Sequence, residues 1–241
     1  MPSNQLVPVS TQLVKRSNLF STLPDALIEE ITQNLRAERW DKKTYISPDI
    51  LLERFFILEE GRIEMSRVNP DTGRTITLDL LQPGDSFDVV VLLDGKAHDV
   101  ILTPLEDIKV LSIPMHKMRE WIWKYPALNQ QFMPYLAKKI RDQEDKTTDI
   151  ALYDTVTRLS RIILKNINNY HGLAENARTE HLVTGLSDEM LARMVGSVRQ
   201  VINQHLQEWK KKGVIDKKRN KIVINDLQQI IDDADITSSR F

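Results

Sequence analysis

Apolar and polar residues alternate with a period of two through the first half of the chain, then shift to a period of three to four. Phe55 to Leu58, Arg62-Ile63-Glu64-Met65, Thr75-Ile76-Thr77-Leu78-Asp79-Leu80, Val100 to Leu102 and Ile108 to Ile113 read as strands. Gly61, Gly73, Gly84 and Gly95 stand 12, 11 and 11 residues apart. Turns at that spacing predict an all-β sandwich or barrel. A short helix leads in over Pro24 to Leu35, with Leu27, Ile28, Ile31 and Leu35 on one face and proline in its first turn.

Beyond Pro114 the helical period takes over. Met115 to Tyr125 reads as a short helix and Ala127 to Asp154 as a long one. Along the latter Phe132, Leu136, Ile140, Gln143, Thr147, Ile150 and Asp154 recur at steps of four and three. Such a seam could pack on its own domain, but its length fits pairing between two copies better. The polar Gln143, Thr147 and Asp154 suit a contact that can shift. Tyr153 to Tyr170 continues helical, with Val156, Leu159, Ile163 and Ile167 on one stripe, and His181 to Val183 is a short strand. Ser187 then caps a helix whose Met190, Leu191, Met194 and Val195 form one face. Gly196 breaks it, and a second helix runs from Ser197 to Lys212 until Gly213 stops it. Two helices joined by a glycine-containing turn predict a helix-turn-helix.

Composition removes several chemistries. With no cysteine among 241 residues, disulfides, thiolate zinc sites, iron–sulfur clusters and thiol catalysis are excluded. No apolar run approaches membrane-spanning length and Met1 to Asn18 lacks the layout of a secretory signal, so the expectation is a cytoplasmic protein without a membrane partner. The formal net charge of -1 hides an asymmetry. From Ala151 onward 14 Lys and Arg face 11 Asp and Glu, and within Gly196 to Ile224 the balance is eight to two. A basic patch sits on an otherwise acidic chain.

That patch carries the functional signal. On the second helix Val198, Val201, Ile202, Leu206 and Trp209 mark the buried face, leaving Arg199, Gln200, Asn203, Gln204 and Gln207 outward. Arginine pairs with guanine and side-chain amides with adenine in a major groove, and this face carries no acid before Glu208. Val214-Ile215 and Lys221 to Ile224 read as strands around Asp216-Lys217-Lys218-Arg219-Asn220, a hairpin whose Lys217, Lys218 and Arg219 would reach phosphates. Lys210, Lys211 and Lys212 either extend this patch or complement the helix dipole.

Three stretches stand out: Phe56-Ile57-Leu58-Glu59-Glu60-Gly61-Arg62-Ile63, Leu81-Gln82-Pro83-Gly84-Asp85-Ser86-Phe87, and Leu186 to Ile215. Through them the chain resembles the CRP/FNR family across nearly its whole length. The resemblance implies an α+β chain: an N-terminal effector-sensing double-stranded β-helix, or jelly roll, of cyclic-nucleotide-binding type, a long dimerisation helix, and a C-terminal winged helix-turn-helix that regulates promoters. It implies base reading by Arg199, Gln200 and Gln204 and a phosphate contact by Ser197. The expected boundaries are a flexible 1–18, a sensor over 19–126, a dimerisation helix over 127–153, a DNA-binding domain over 154–235 and a flexible tail 236–241. The partners are double-stranded DNA, a second copy of the chain and, for an activator, RNA polymerase, with Asn176 to Glu180 as the surface for the last.

The sensor departs from the cyclic-nucleotide pattern. Asp88-Val89 stands where that subgroup has Gly-Glu, and His98-Asp99 where it has Arg-Ser. Two carboxylates there repel a cyclic phosphate, so cyclic AMP is not the expected effector. Phe87, Asp88, Val89, His98, Asp99 and Gln143 are the expected effector-pocket residues, with the effector unknown. His98 could ligate haem iron, but a lone histidine in a surface turn is more often solvated. The run Val89 to Leu93 either lines an apolar pocket or fills the core, the latter being favoured. The alternatives to a DNA-binding regulator are a ligand-binding module acting through protein contacts and a haem-based gas sensor. No phosphate loop, HExxH helix or metal-ligand spacing among the five histidines suggests an enzyme or a metal site.

Overall fold

The computed structural model describes residues 9–15, 17, 19–167, 181–218 and 220–235. It divides into two compact units that meet between Gln143 and Glu144. In the first, helices α1 (Thr11–Lys15) and α2 (Asp25–Asn34) precede strand β1 (Arg36–Trp40) and the one-turn helix α3 (Ile50–Glu53). Strands β2 (Arg54–Glu60), β3 (Ile63–Val68), β4 (Thr75–Leu81) and β5 (Ser86–Phe87) follow, then helix α4 (Val89–Asp94) and strands β6 (Ile101–Pro104) and β7 (Ile108–Pro114). Two antiparallel sheets, ordered β1-β7-β2-β5 and β4-β3-β6, build the jelly roll. Ala37, Phe55 to Leu58, Phe87 and Val110 from the first and Ile63, Leu81 and Leu102 from the second share one core.

The four regularly spaced glycines all take positive φ: Gly61, Gly73 and Gly84 in turns between strands, and Gly95, expected as another such turn, as the left-handed C-cap of α4. Gly61 is also sterically obligatory, because a Cβ there would lie 2.8 Å from Ile108 Cγ2 and 2.9 Å from the Asp107 carbonyl. The leading helix is α2, with Leu27, Ile28 and Ile31 buried as its spacing predicts. The expectation of a flexible 1–18 fails for the described part: α1 docks Val14 at 0% exposure. Residues 1–8, like the tail 236–241, lie outside the described residues.

Helices α5 (Met115–Lys124) and α6 (Pro126–Leu152) follow the roll. The long helix was expected to form a segment of its own, yet its first half belongs to the first unit. Leu128, Phe132 and Tyr135 are buried there, Tyr135 Oη accepts from the Ser86 N–H at 3.0 Å, and Lys139 bridges Asp79 (3.0 Å) and Asp85 (3.1 Å). Burial lowers the Lys139 pKa, but the two carboxylates raise it by more, so the ammonium is held charged.

The second unit takes the end of α6 into α7 (Thr155–Asn166), whose N-cap Asp154 accepts from the Thr157 N–H at 2.9 Å. The expected helix to Tyr170 ends at Asn166; residues 168–180, including Asn176 to Glu180, lie outside the described residues. Strand β8 (His181–Thr184), helices α8 (Asp188–Val195) and α9 (Arg199–Lys211), strands β9 (Ile215–Lys218) and β10 (Lys221–Ile224) and helix α10 (Leu227–Asp233) complete the unit, with the sheet ordered β8-β10-β9. Arg161 on α7 pairs with Asp149, stacks 3.8 Å over the Tyr153 ring and donates to the Ala234 carbonyl at 2.9 Å. These contacts fix the corner between α6 and α7. No helix among the described residues is long and apolar enough to cross a membrane.

Candidate nucleic-acid interface and sensor site

Ser187 caps α8 by accepting from the Met190 N–H at 3.2 Å, and Met190, Leu191, Met194 and Val195 are buried together. Gly196 closes α8 in the left-handed conformation (φ 70°), which lets the chain reverse into α9 within three residues. Ile202, Leu206 and Trp209 anchor α9 in the core of the unit, and the Trp209 indole N–H donates to Asp233 of α10 at 2.8 Å. Arg199, Gln200, Asn203, Gln204 and Gln207 are all exposed, with Gln204 donating to Glu208 at 3.1 Å. Ser197 lies half-buried in the turn before them.

Two expectations on this surface are corrected. Val198, expected inside with Ile202, is 54% exposed. It is the N-cap residue, and its extended backbone (φ −108°, ψ 150°) turns the side chain out of the helical register that periodicity assumes. Lys217, expected to reach phosphate from the wing, is tied by its Nζ to Asp188 on α8 at 2.5 Å. The wing strands also run further than expected, pairing Lys218 with Lys221, and Asn220 takes φ 55°. Lys218 is exposed; Arg219 lies outside the described residues.

In the sensor, the expected pocket residues are not one open surface. Phe87 is in the core, stacked on Phe56 with ring centroids 5.2 Å apart. Asp88, at 2% exposure, is the N-cap of α4: one carboxylate oxygen accepts from the Val90 N–H at 2.9 Å and the other pairs with His98 Nδ1. His98 is therefore not a solvated lone histidine. Asp99 is exposed, its carbonyl accepting from Arg67 Nε at 2.9 Å, and Gln143 Nε2 donates to the Leu78 carbonyl at 3.4 Å. Of Val89 to Leu93, Val91 and Leu92 are buried, Val89 half-buried, Val90 and Leu93 exposed. Arg119 of α5 holds the other end of α4 by donating to the carbonyls of Val91 (2.8 Å) and Leu92 (3.0 Å). Sequence reasoning missed this contact because nothing in the spacing of residues 92 and 119 announces it.

The seam is corrected by one position at its start. Phe132 is buried at 0% exposure and faces the roll, as Tyr135 does. Met133 is exposed, Leu136 packs partly on the core, and Ile140 (52%), Gln143, Thr147 and Ile150 are exposed. Met133, Leu136, Ile140, Gln143, Thr147 and Ile150 thus alternate steps of three and four.

Residues 157–232 match the Crp-like helix-turn-helix domain and residues 47–125 the cyclic nucleotide-binding domain. This chain belongs to the CRP/FNR family. As a member it is a transcription regulator that joins a nucleotide-binding-type sensor to a DNA-binding helix-turn-helix. Its CRP/FNR relatives include the CRP-like cAMP-activated global transcriptional regulator of Mycobacterium tuberculosis, 22% identical over 91% of this chain and 97% of that protein. The global nitrogen regulator of Nostoc is 27% identical over 90% and 95%. Among solved structures, FixK2 of Bradyrhizobium japonicum has a similar fold, with a TM-score of 0.71 at 15% identity over 85% of this chain and 99% of that one.

Proposed function

We propose that the chain is a homodimeric, sequence-specific regulator that reads an inverted-repeat operator with α9 and answers to a small effector or cofactor other than cyclic AMP. The observation that carries the DNA reading is the outward face of α9, where Arg199, Gln200, Asn203 and Gln204 stand exposed without a carboxylate among them. Lys218 supplies a phosphate contact from the wing. The apolar line Met133, Leu136, Ile140 and Ile150 supports pairing of two copies, which sets two recognition helices on half-sites about one DNA turn, ~34 Å, apart.

The printed names of the relatives differ in signal: one is cAMP-activated, another a nitrogen regulator. The effector reading therefore rests on this chain's own residues. A carboxylate already caps α4 and is paired with His98, so the first-turn Val90 N–H is spent within the protein. Position 98, where the subgroup has its arginine, holds a histidine engaged by Asp88, and the neighbouring Arg67 guanidinium is turned onto the Asp99 carbonyl at 2.9 Å.

Binding to a mixed pool of duplexes followed by sedimentation tests both parts. The expected result is enrichment of inverted repeats bound by two chains. Ile140→Lys with Ile150→Lys is expected to sediment as a monomer and lose the operator; a variant that stays dimeric and binds the same operator refutes the seam.

A further inference from the structure

Val198 is anomalous twice over. A β-branched apolar residue at a helix N-cap is among the least favoured choices, because it offers no oxygen to the free N–H groups of the first turn, and α9 has no side-chain cap bond. The same side chain is 54% exposed, directly beside the outward Arg199 and Gln200, on a helix whose other apolar residues are buried or half-buried. Side-chain oxygens of Asp154, Ser187 and Asp226 cap α7, α8 and α10, so among the described helices that begin in the second unit α9 is the one without such a cap.

We propose that Val198 is a specificity-determining residue whose isopropyl group packs against the 5-methyl of a thymine in the major groove. The inference rests on the reading of α9 as the groove-entering helix and adds to it a base that hydrogen bonds do not select. An apolar side chain at the N-terminal end of such a helix is the chemical complement of the thymine methyl, the one apolar group a base pair displays there. The poor cap is then a cost carried for recognition rather than for folding.

The test uses the full-length protein and a duplex that it enriches from a randomised library. Each thymine is replaced in turn by uracil, which deletes only the 5-methyl. The expected result is one thymine per half-site whose replacement weakens binding about fourfold, the worth of one buried methyl-sized group. Val198→Ser, which removes the methyls and supplies a capping oxygen, is expected to raise the melting temperature, weaken the thymine duplex by a similar factor and abolish the uracil effect; Val198→Ala is expected to do the last two without the first. A uracil scan with no responsive position, or a Val198→Ser protein that keeps its uracil sensitivity, overturns the proposal. If Arg199→Ala still flattens preference in that case, the DNA-reading assignment of α9 stands and only Val198 falls; if no duplex is enriched, both fall.

Discussion

On the proposed reading of α9, the Arg199 guanidinium supplies two donors to a guanine edge, and removing it leaves that edge unpaired. Arg199→Ala is expected to cost about 1–3 kcal/mol on the preferred duplex and to flatten its preference, whereas Lys218→Ala weakens preferred and random duplexes alike. Titration against both DNA types at two salt concentrations checks this; equal losses on both for Arg199→Ala remove it as a reader. At the α7 cap, the Thr157 N–H holds the Asp154 carboxyl below the usual carboxylate range against a smaller opposing effect of burial. A pKa lowered by folding means stability that is present above the unfolded value, ~3.9, and lost as pH falls through the lower folded one. The melting-temperature gap between wild type and Asp154→Asn is therefore expected to shrink as pH is taken from 5 towards 3. A constant gap contradicts it. The outward polar residues of α9 were legible because helical periodicity fixes them, but Val198 was not, since periodicity has no say over an N-cap. The Asp88–His98 pair was equally hidden, because ten residues of chain had to fold back before the two side chains met.

At the scale of elements, the roll's turns were readable from glycine spacing, and Gly61 shows why. Gly61→Ala is expected to unfold at lower temperature than wild type by an amount worth at least ~1–2 kcal/mol, because a left-handed backbone (φ +84°) and a crowded Cβ position act together. A melting temperature within a degree of wild type would show that the turn relaxes instead. Strand β1 was missed: Arg36, Glu38 and Arg39 conceal the alternation, although Glu38 is buried and accepts from Ser112 Oγ at 3.1 Å. The exposed stripe of α6 was readable in period but displaced in phase at Phe132. A helix that serves a core on one side and a line of exposed residues on the other carries two apolar stripes, and a pattern search on residue type merges them. Short elements such as α3 and α10 gave too few turns to register.

For the whole molecule, the division into a sensor and a DNA-binding unit was legible from the change of period and the drift of charge, while the effector was not, because the sensor's distinctive contacts are long-range pairs. With α4 capped from within, cyclic AMP and cyclic GMP are expected to leave operator affinity unchanged, since a ligand that favours neither state shifts no equilibrium. Calorimetry that detects micromolar binding together with a tighter operator complex overturns this. The bond from Trp209 to Asp233 has a practical corollary. Of four tryptophans, Trp40, Trp121 and Trp123 lie in the first unit and Trp209 alone in the second. Replacing the first three with phenylalanine leaves a single tryptophan, excited apart from the five tyrosines at about 295 nm and hydrogen-bonded to a carboxylate on the buried side of α9. Its emission reports the integrity of the DNA-reading unit without a label, so a signal that loosens or orders α9 can be followed by light alone in the absence of any operator.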